Sequence, residues 1–162
     1  MARLHGGYYR NSRRYCRPDW KSRRLESVAR VKLLLDTHIW IWTVGKSSRL
    51  SPRVTRELLN PTNELWLSPI SIWEFFLLHR KGRLTIPEGF STWITRALAA
   101  TTFKEAPLTF EVAQALATIK LPHDDPADQF LVASAKVFDL TLVTADEKLL
   151  STPGIKVLAN RS

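Results

Sequence analysis

The sequence predicts an α/β fold, a central and mostly parallel sheet with helices on both faces. Three observations carry this. Short apolar runs, VKLLL at 31–35, ELWL at 64–67 and LTLVT at 140–144, have the length of buried parallel strands. Segments with helix start and stop signals lie between them, and strand–helix alternation builds layered sheets. The chain of 162 residues, 44% hydrophobic, is large enough for one domain with a proper core.

The elements follow in order. VKLLL is the first strand and ends in Asp36-Thr37-His38, followed by an apolar patch of Ile39, Trp40, Ile41 and Trp42. Ser51-Pro52 opens a helix that Asn60-Pro61 closes. ELWL is the second strand, stopped by Ser68-Pro69. The spacing places the next helix from Ser71 to Arg80, with Gly82 past its end. A further helix begins at Pro87 or Glu88 and runs to Thr102, and Phe103 to Ala106 is a short strand. Thr109 to Ile119 is helical, with Thr109 as cap.

The stretch LPHDDPADQFLVASA, 121–135, comes next. Asp125-Pro126 reads as N-cap and first helical residue, because proline loses no hydrogen bond there and its φ is already helical. Asp128 falls at the third helical position. The apolar residues beyond it point nearly all round, so this helix is covered on several sides. LTLVT then leads to Ala145-Asp146, and Ile155 to Leu158 is the last strand.

The formal charge of +9 is unevenly placed. Residues 1–30 hold nine Lys/Arg against two acidic residues, a net of +7, which leaves +2 for residues 31–162. This basic extension shows neither helical nor strand periodicity and reads as disordered. It is an inert tail, an arm that neutralises phosphates and stacks bases on Tyr8, Tyr9, Tyr15 and Trp20, or the product of a misassigned start, with Val31 as the true one. The domain proper spans 31–160. No apolar run reaches the roughly 18–20 residues that span a bilayer, and no secretory signal is present. The single cysteine, Cys16, forms no internal disulfide and fits a reducing cytoplasm.

Four acidic residues meet at one edge of such a fold. Ligands of open parallel sheets bind at the carboxyl ends of the strands. Asp36 ends the first strand, and Asp146 follows LTLVT by one residue. Glu74 and Asp128 each fall one turn into a helix that begins at that edge. Each has a plainer explanation. Ser71 and Glu74 have the spacing of a capping box, as do Asp125 and Asp128. Acidic residues in a first turn gain about 0.3–1 kcal/mol from the helix dipole. Together, however, four carboxylates repel one another, which raises their pKa values or demands a cation. An all-oxygen set suits Mg²⁺ or Mn²⁺, and such a centre activates a water for in-line attack on a phosphodiester.

On four segments the chain resembles the PIN-domain ribonucleases, most closely the VapC-like toxins of type II toxin–antitoxin modules. They are LLLDTHIWIW at 33–42, SPISIWEFFLL at 68–78, HDDPADQFLVASA at 123–135 and LVTADEKL at 142–149. The resemblance covers residues 31–160 and implies a three-layer PIN-like sandwich. It implies that Asp36, Glu74, Asp128 and Asp146 form a catalytic, metal-binding quartet, with Asp36 and Asp128 as direct Mg²⁺ ligands. Asp125 becomes a cap or supporting residue, and Thr37 and Thr144 orient carboxylates or a water. It further implies an RNA substrate, a cognate antitoxin protein and a homodimer. Gln129 stands where the family carries arginine, which places a phosphate contact there in doubt.

Two other readings compete with a Mg²⁺-dependent endoribonuclease toxin. One is a catalytically silent RNA-binding or interaction module of the same fold. The other is an aspartate-nucleophile phosphotransferase, which needs a second acid where this chain has His38. His38 and His123 read as polar packing beside the sheet edge, with a general-base role as the sharper alternative. Trp40, Trp42, Trp66 and Trp73 read as core. Arg80, Lys81 and Arg83 read as a solvated helix end, with contact to RNA phosphate as the alternative.

Overall fold

The computed structural model describes residues 30–122 and 124–161. The readings of the extension before Arg30 and of His123 lie outside the described residues. The elements are β1 (Lys32–Leu35), α1 (Thr37–Val44), α2 (Pro52–Leu59), β2 (Glu64–Leu67), α3 (Pro69–Arg80), α4 (Phe90–Ala99), β3 (Phe103–Glu105), α5 (Phe110–Ala115), α6 (Pro126–Val137), β4 (Thr141–Thr144), α7 (Glu147–Leu150) and β5 (Lys156–Ala159). A 3₁₀ turn, Leu116–Thr118, extends α5.

The five strands form one sheet in the order β3-β2-β1-β4-β5, and every neighbouring pair is parallel. From β1 the chain builds outward through β2 and β3, then returns to the other side of β1 for β4 and β5. Strand order reverses between β1 and β4, and a crevice opens at the carboxyl ends of strands at such a switch point.

The alternation within β1 separates two cores. Leu33 and Leu35 face one layer, where they pack with Trp40, Val54, Leu58, Phe75 and Trp93 of α1 to α4. Leu34 faces the other, with Leu131, Val132 and Ala135 of α6 and Leu149 of α7. All three leucines are at most 1% exposed, which is why the strand reads as an unbroken apolar run. Trp40 anchors the first layer. It is fully buried and meets Phe75 and Trp93 edge to face at 5.7 and 5.6 Å between ring centroids.

Several expectations change. The apolar patch after Asp36 is a helix, α1. THIWIWTV lacks an apolar stripe of helical period and is rich in β-branched and aromatic residues, so tertiary burial of Ile39 and Trp40 decides its conformation. α3 begins at Pro69, not Ser71: Ser68 is the N-cap, accepting from the Ile70 N–H at 3.3 Å. Ser68-Pro69 thus ends β2 and starts α3 at once. α4 begins at Phe90 rather than Pro87 or Glu88, with Gly89 as N-cap, and ends at Ala99 rather than Thr102. α7 is an additional short helix. Trp40 alone of the four tryptophans is fully buried; Trp42 and Trp66 are half-buried and Trp73 is exposed. Among the described residues no helix is long and apolar enough to cross a membrane.

Candidate functional site

The carboxylates gather at the switch point because four separate elements end or begin there. Asp36 is the first residue beyond β1, and its N–H still donates to Val143 O of β4 at 3.0 Å. The sheet ladder therefore holds Asp36 in place. It is 5% exposed. Its Oδ2 accepts a 2.6 Å hydrogen bond from Thr144 Oγ1, at the end of β4. Thr144 is itself fully buried, and its Oγ1 accepts from the Asp146 N–H at 3.0 Å. With that N–H pointing in, the one hydroxyl proton is committed to Asp36.

A second threonine repeats the device. Thr37, also fully buried, donates from Oγ1 to Glu74 Oε2 at 2.6 Å and so ties α1 to α3. With the N-cap at Ser68, Glu74 is the sixth helical residue of α3 and the capping-box reading fails. Ser71 is buried inside the helix with its hydroxyl unpaired.

Asp125 caps α6, accepting from the Ala127 N–H at 2.9 Å, and Pro126 is the first helical residue as expected. This fixes Asp128 at the third position of α6. Asp146 caps α7, accepting from the Lys148 N–H at 2.8 Å. Asp36, Glu74, Asp125, Asp128 and Asp146 all line one pocket of about 540 Å³. Asp124 is exposed and does not line it.

Burial pushes the Asp36 carboxyl above its ordinary range. The Thr144 hydrogen bond, the His38 charge and the backbone N–H groups of His38 and Thr37 pull it back in part. Burial also raises Glu74; the Thr37 hydrogen bond opposes this, and the charges of Asp36 and Asp128 add to it. Glu64 behaves in the opposite way. At the far end of the sheet it receives Lys104 Nζ at 2.7 Å and Trp66 Nε1 at 2.9 Å, with Arg30 at 2.9 Å. The Lys104 hydrogen bond holds it below the usual range. Asp36 and Glu74 in the pocket are thus raised, whereas Glu64 at the opposite end of the sheet is lowered.

The donor chemistry of the pocket, all oxygen around a buried carboxylate, fits a hard divalent cation. Among the described residues no three His, Cys, Asp or Glu side chains are arranged as a ready ligand set. Mg²⁺ is commonly held by one or two carboxylates and keeps several waters, so a closed cage is not required.

The other half of the lining includes His38, Trp42, Leu78, Arg83 and Leu84. Sequence reasoning placed Arg83 at a solvated helix end. Gly82, at φ +68°, terminates α3 in a Schellman motif: the Gly82 N–H donates to His79 O and the Arg83 N–H to Leu78 O, each at 2.9 Å. That turn brings Arg83 back to the pocket. The glycine past the helix end was the available signal. Gln129 is half-buried on α6 and does not line the pocket.

A PIN domain family model matches residues 33–155, from the second residue of β1 to the residue before β5. No curated protein sequence matches the chain. Among solved structures it is similar to VapBC2 from Rickettsia felis bound to a promoter DNA fragment, with a TM-score of 0.60 and 17% identity over 80% of this chain and 98% of that one. It is similar to DNA-bound VapBC from Salmonella typhimurium, with a TM-score of 0.59 and 21% identity over 81% and 99%. It is also similar to FitAcB from Neisseria gonorrhoeae, with a TM-score of 0.54 and 23% identity over 79% and 97%. At these identities the structural likeness carries the fold, five parallel strands between two helical layers. The family match extends over most of the chain, and the protein belongs to the PIN domain family.

Proposed function

We propose that the chain is a metal-dependent endoribonuclease, using Mg²⁺ or Mn²⁺, and the toxin component of a type II toxin–antitoxin pair. The observation that carries this is the hydrogen-bond chain from the Asp146 N–H through Thr144 to Asp36, set in a pocket lined by five carboxylates. In this reading Asp36 and Asp128 are the direct metal ligands, and Glu74 and Asp146 complete the acidic set. Bound there, a divalent cation would supply an activated water and stabilise the leaving oxygen of a cleaved phosphodiester.

The protein's own residues prepare the site. Thr144 and Thr37 each fix one carboxylate oxygen, so Asp36 and Glu74 cannot turn away from the pocket. Asp125 holds the start of α6 and with it Asp128. Burial of Asp36 keeps the local dielectric low, which strengthens its attraction for a cation. The antitoxin partner is supported by similar structures that include a toxin–antitoxin complex and a member of the VapBC family of toxin–antitoxin systems. A homodimer, as the resemblance implies, belongs to the same reading.

The test is cleavage of total cellular RNA by the purified chain, with Mg²⁺ and with EDTA, beside Asp128→Asn. Metal-dependent cleavage that disappears in the variant is expected. The second reading, an RNA-binding module that does not cleave, draws on the lack of a ready three-residue ligand set among the described residues. Absence of cleavage, together with no Mg²⁺-induced rise in Tm, would favour it.

A further inference from the structure

The pocket has two chemically different halves, and the carboxylates account for one. The other presents an indole, an imidazole and a guanidinium. Trp42 is half-buried and lines the cavity, with the His38 ring 6.1 Å from its own. Arg49 lies over the indole at 5.7 Å, and its backbone carbonyl is held by Asn160 Nδ2 at 2.9 Å. Arg83, exposed, also lines the cavity and is the sole lysine or arginine among the described lining residues. No carboxylate pairs with Arg83 among the described residues.

Neither the indole nor the guanidinium of this wall is a metal ligand. An arginine that lines a pocket with five carboxylates, and pairs with none among the described residues, is placed to meet an anion that enters the site. A partly exposed indole offers a flat π-face, on which any base can stack. The geometry points to a nucleotide subsite beside the carboxylates: Trp42 stacks one base of a single-stranded RNA, and Arg83 contacts a backbone phosphate next to that base. The inference rests on the ribonuclease reading and adds how the strand is held.

The test is binding, read without chemistry. A fluorescein-labelled single-stranded RNA of mixed sequence is titrated with the full chain in EDTA at several salt concentrations, and anisotropy is recorded. The basic residues of the first thirty positions are common to every variant. Trp42→Ala should weaken binding about tenfold and leave the salt slope unchanged, and Trp42→Phe should recover most of the loss. Arg83→Ala should lower the slope of log K against log salt by about 0.7, the share of one single-strand phosphate. Arg83 is exposed, so this arm does not depend on the folding of a core variant.

Wild-type affinity and slope in both alanine variants would overturn the subsite. So would failure of the wild type to bind RNA in EDTA. Total RNA cleavage by the same proteins separates the two levels. An active wild type whose binding ignores both substitutions removes the subsite and keeps the nuclease, whereas an inactive wild type whose Tm does not rise with Mg²⁺ removes the nuclease.

Discussion

Thr144 Oγ1 donates a 2.6 Å hydrogen bond to Asp36 Oδ2, joining the last residue of β4 to the residue that follows β1. The two are neighbours because β1 and β4 pair in parallel across the point where strand order reverses. Thr144→Val keeps the shape and removes the proton donor, leaving a buried carboxylate and the Asp146 N–H short of a partner. The expected loss is about 1–3 kcal/mol in urea unfolding, with RNA cleavage down at least tenfold. Thr144→Ser should restore both. A valine variant with wild-type stability and activity would remove Thr144 from the site.

Asp36→Asn should act in the opposite direction on stability. Burial raises the Asp36 and Glu74 carboxyls above their ordinary values of 3.8 and 4.5. A raised acid binds its proton more tightly in the folded state, so it costs stability once ionised, and stability returns as pH falls through the folded value. Glu64, Glu111 and Asp139 are lowered instead. Their contribution is present above their unfolded values and is lost only in stronger acid. Metal-free wild type should therefore gain Tm as pH falls from 7 toward the ordinary carboxylate values, and lose it in stronger acid as the lowered acids are protonated. Asp36→Asn should melt about 2–4 °C higher at pH 7, the equivalent of roughly 1 kcal/mol, and should gain less on acidification. Melting curves in EDTA across this range check both statements; a destabilised asparagine variant would mean that the charge of Asp36 is already compensated.

Asp125 and Asp124 are adjacent acids with different expected effects. Asp125 caps α6 through the Ala127 N–H, whereas Asp124 is exposed. Asp125→Ala should cost about 1 kcal/mol and Asp125→Ser much less. Asp124→Ala should be neutral within about 0.5 kcal/mol. Because the cap sets the start of the helix that carries Asp128, Asp125→Ala should also reduce cleavage. Equal stability of the two alanine variants would argue against the cap.

The parts of this architecture that were legible in sequence are those set by local chemistry. LLL before Asp36 is a strand buried on both faces, and Asp125-Pro126 is a cap whose geometry needs no tertiary partner. The convergence of Asp36, Glu74, Asp128 and Asp146 on one pocket followed from placing each at the carboxyl edge of a parallel sheet. What was hidden depends on packing across the molecule. α1 has no helical stripe, since Thr37, Ile39 and Trp40 are buried while Ile41 to Val44 are half-buried. The start of α3 was misplaced because Ser68-Pro69 serves two elements. Trp42 and Arg83 belong to segments about forty residues apart; Gly82 marks the turn before Arg83, but nothing local marks Trp42 as facing the same cavity.

Gly82 links the end of α3 to that cavity. Its φ of +68° lies in the left-handed region, and an added Cβ would meet nothing within 4 Å. The penalty for Gly82→Ala is therefore backbone strain alone, about 1–2 kcal/mol, and Gly82→Asn should cost less because asparagine tolerates this conformation. Urea unfolding of both variants gives the comparison. The same turn aims Arg83, through the Arg83 N–H bond to Leu78 O. If the alanine variant relieves its strain by opening the Schellman turn, RNA binding should fall together with stability. If the turn holds, stability falls while binding stays at the wild-type level. A Gly82→Ala protein as stable as the wild type would show that the left-handed turn, and with it the placement of Arg83, is wrong.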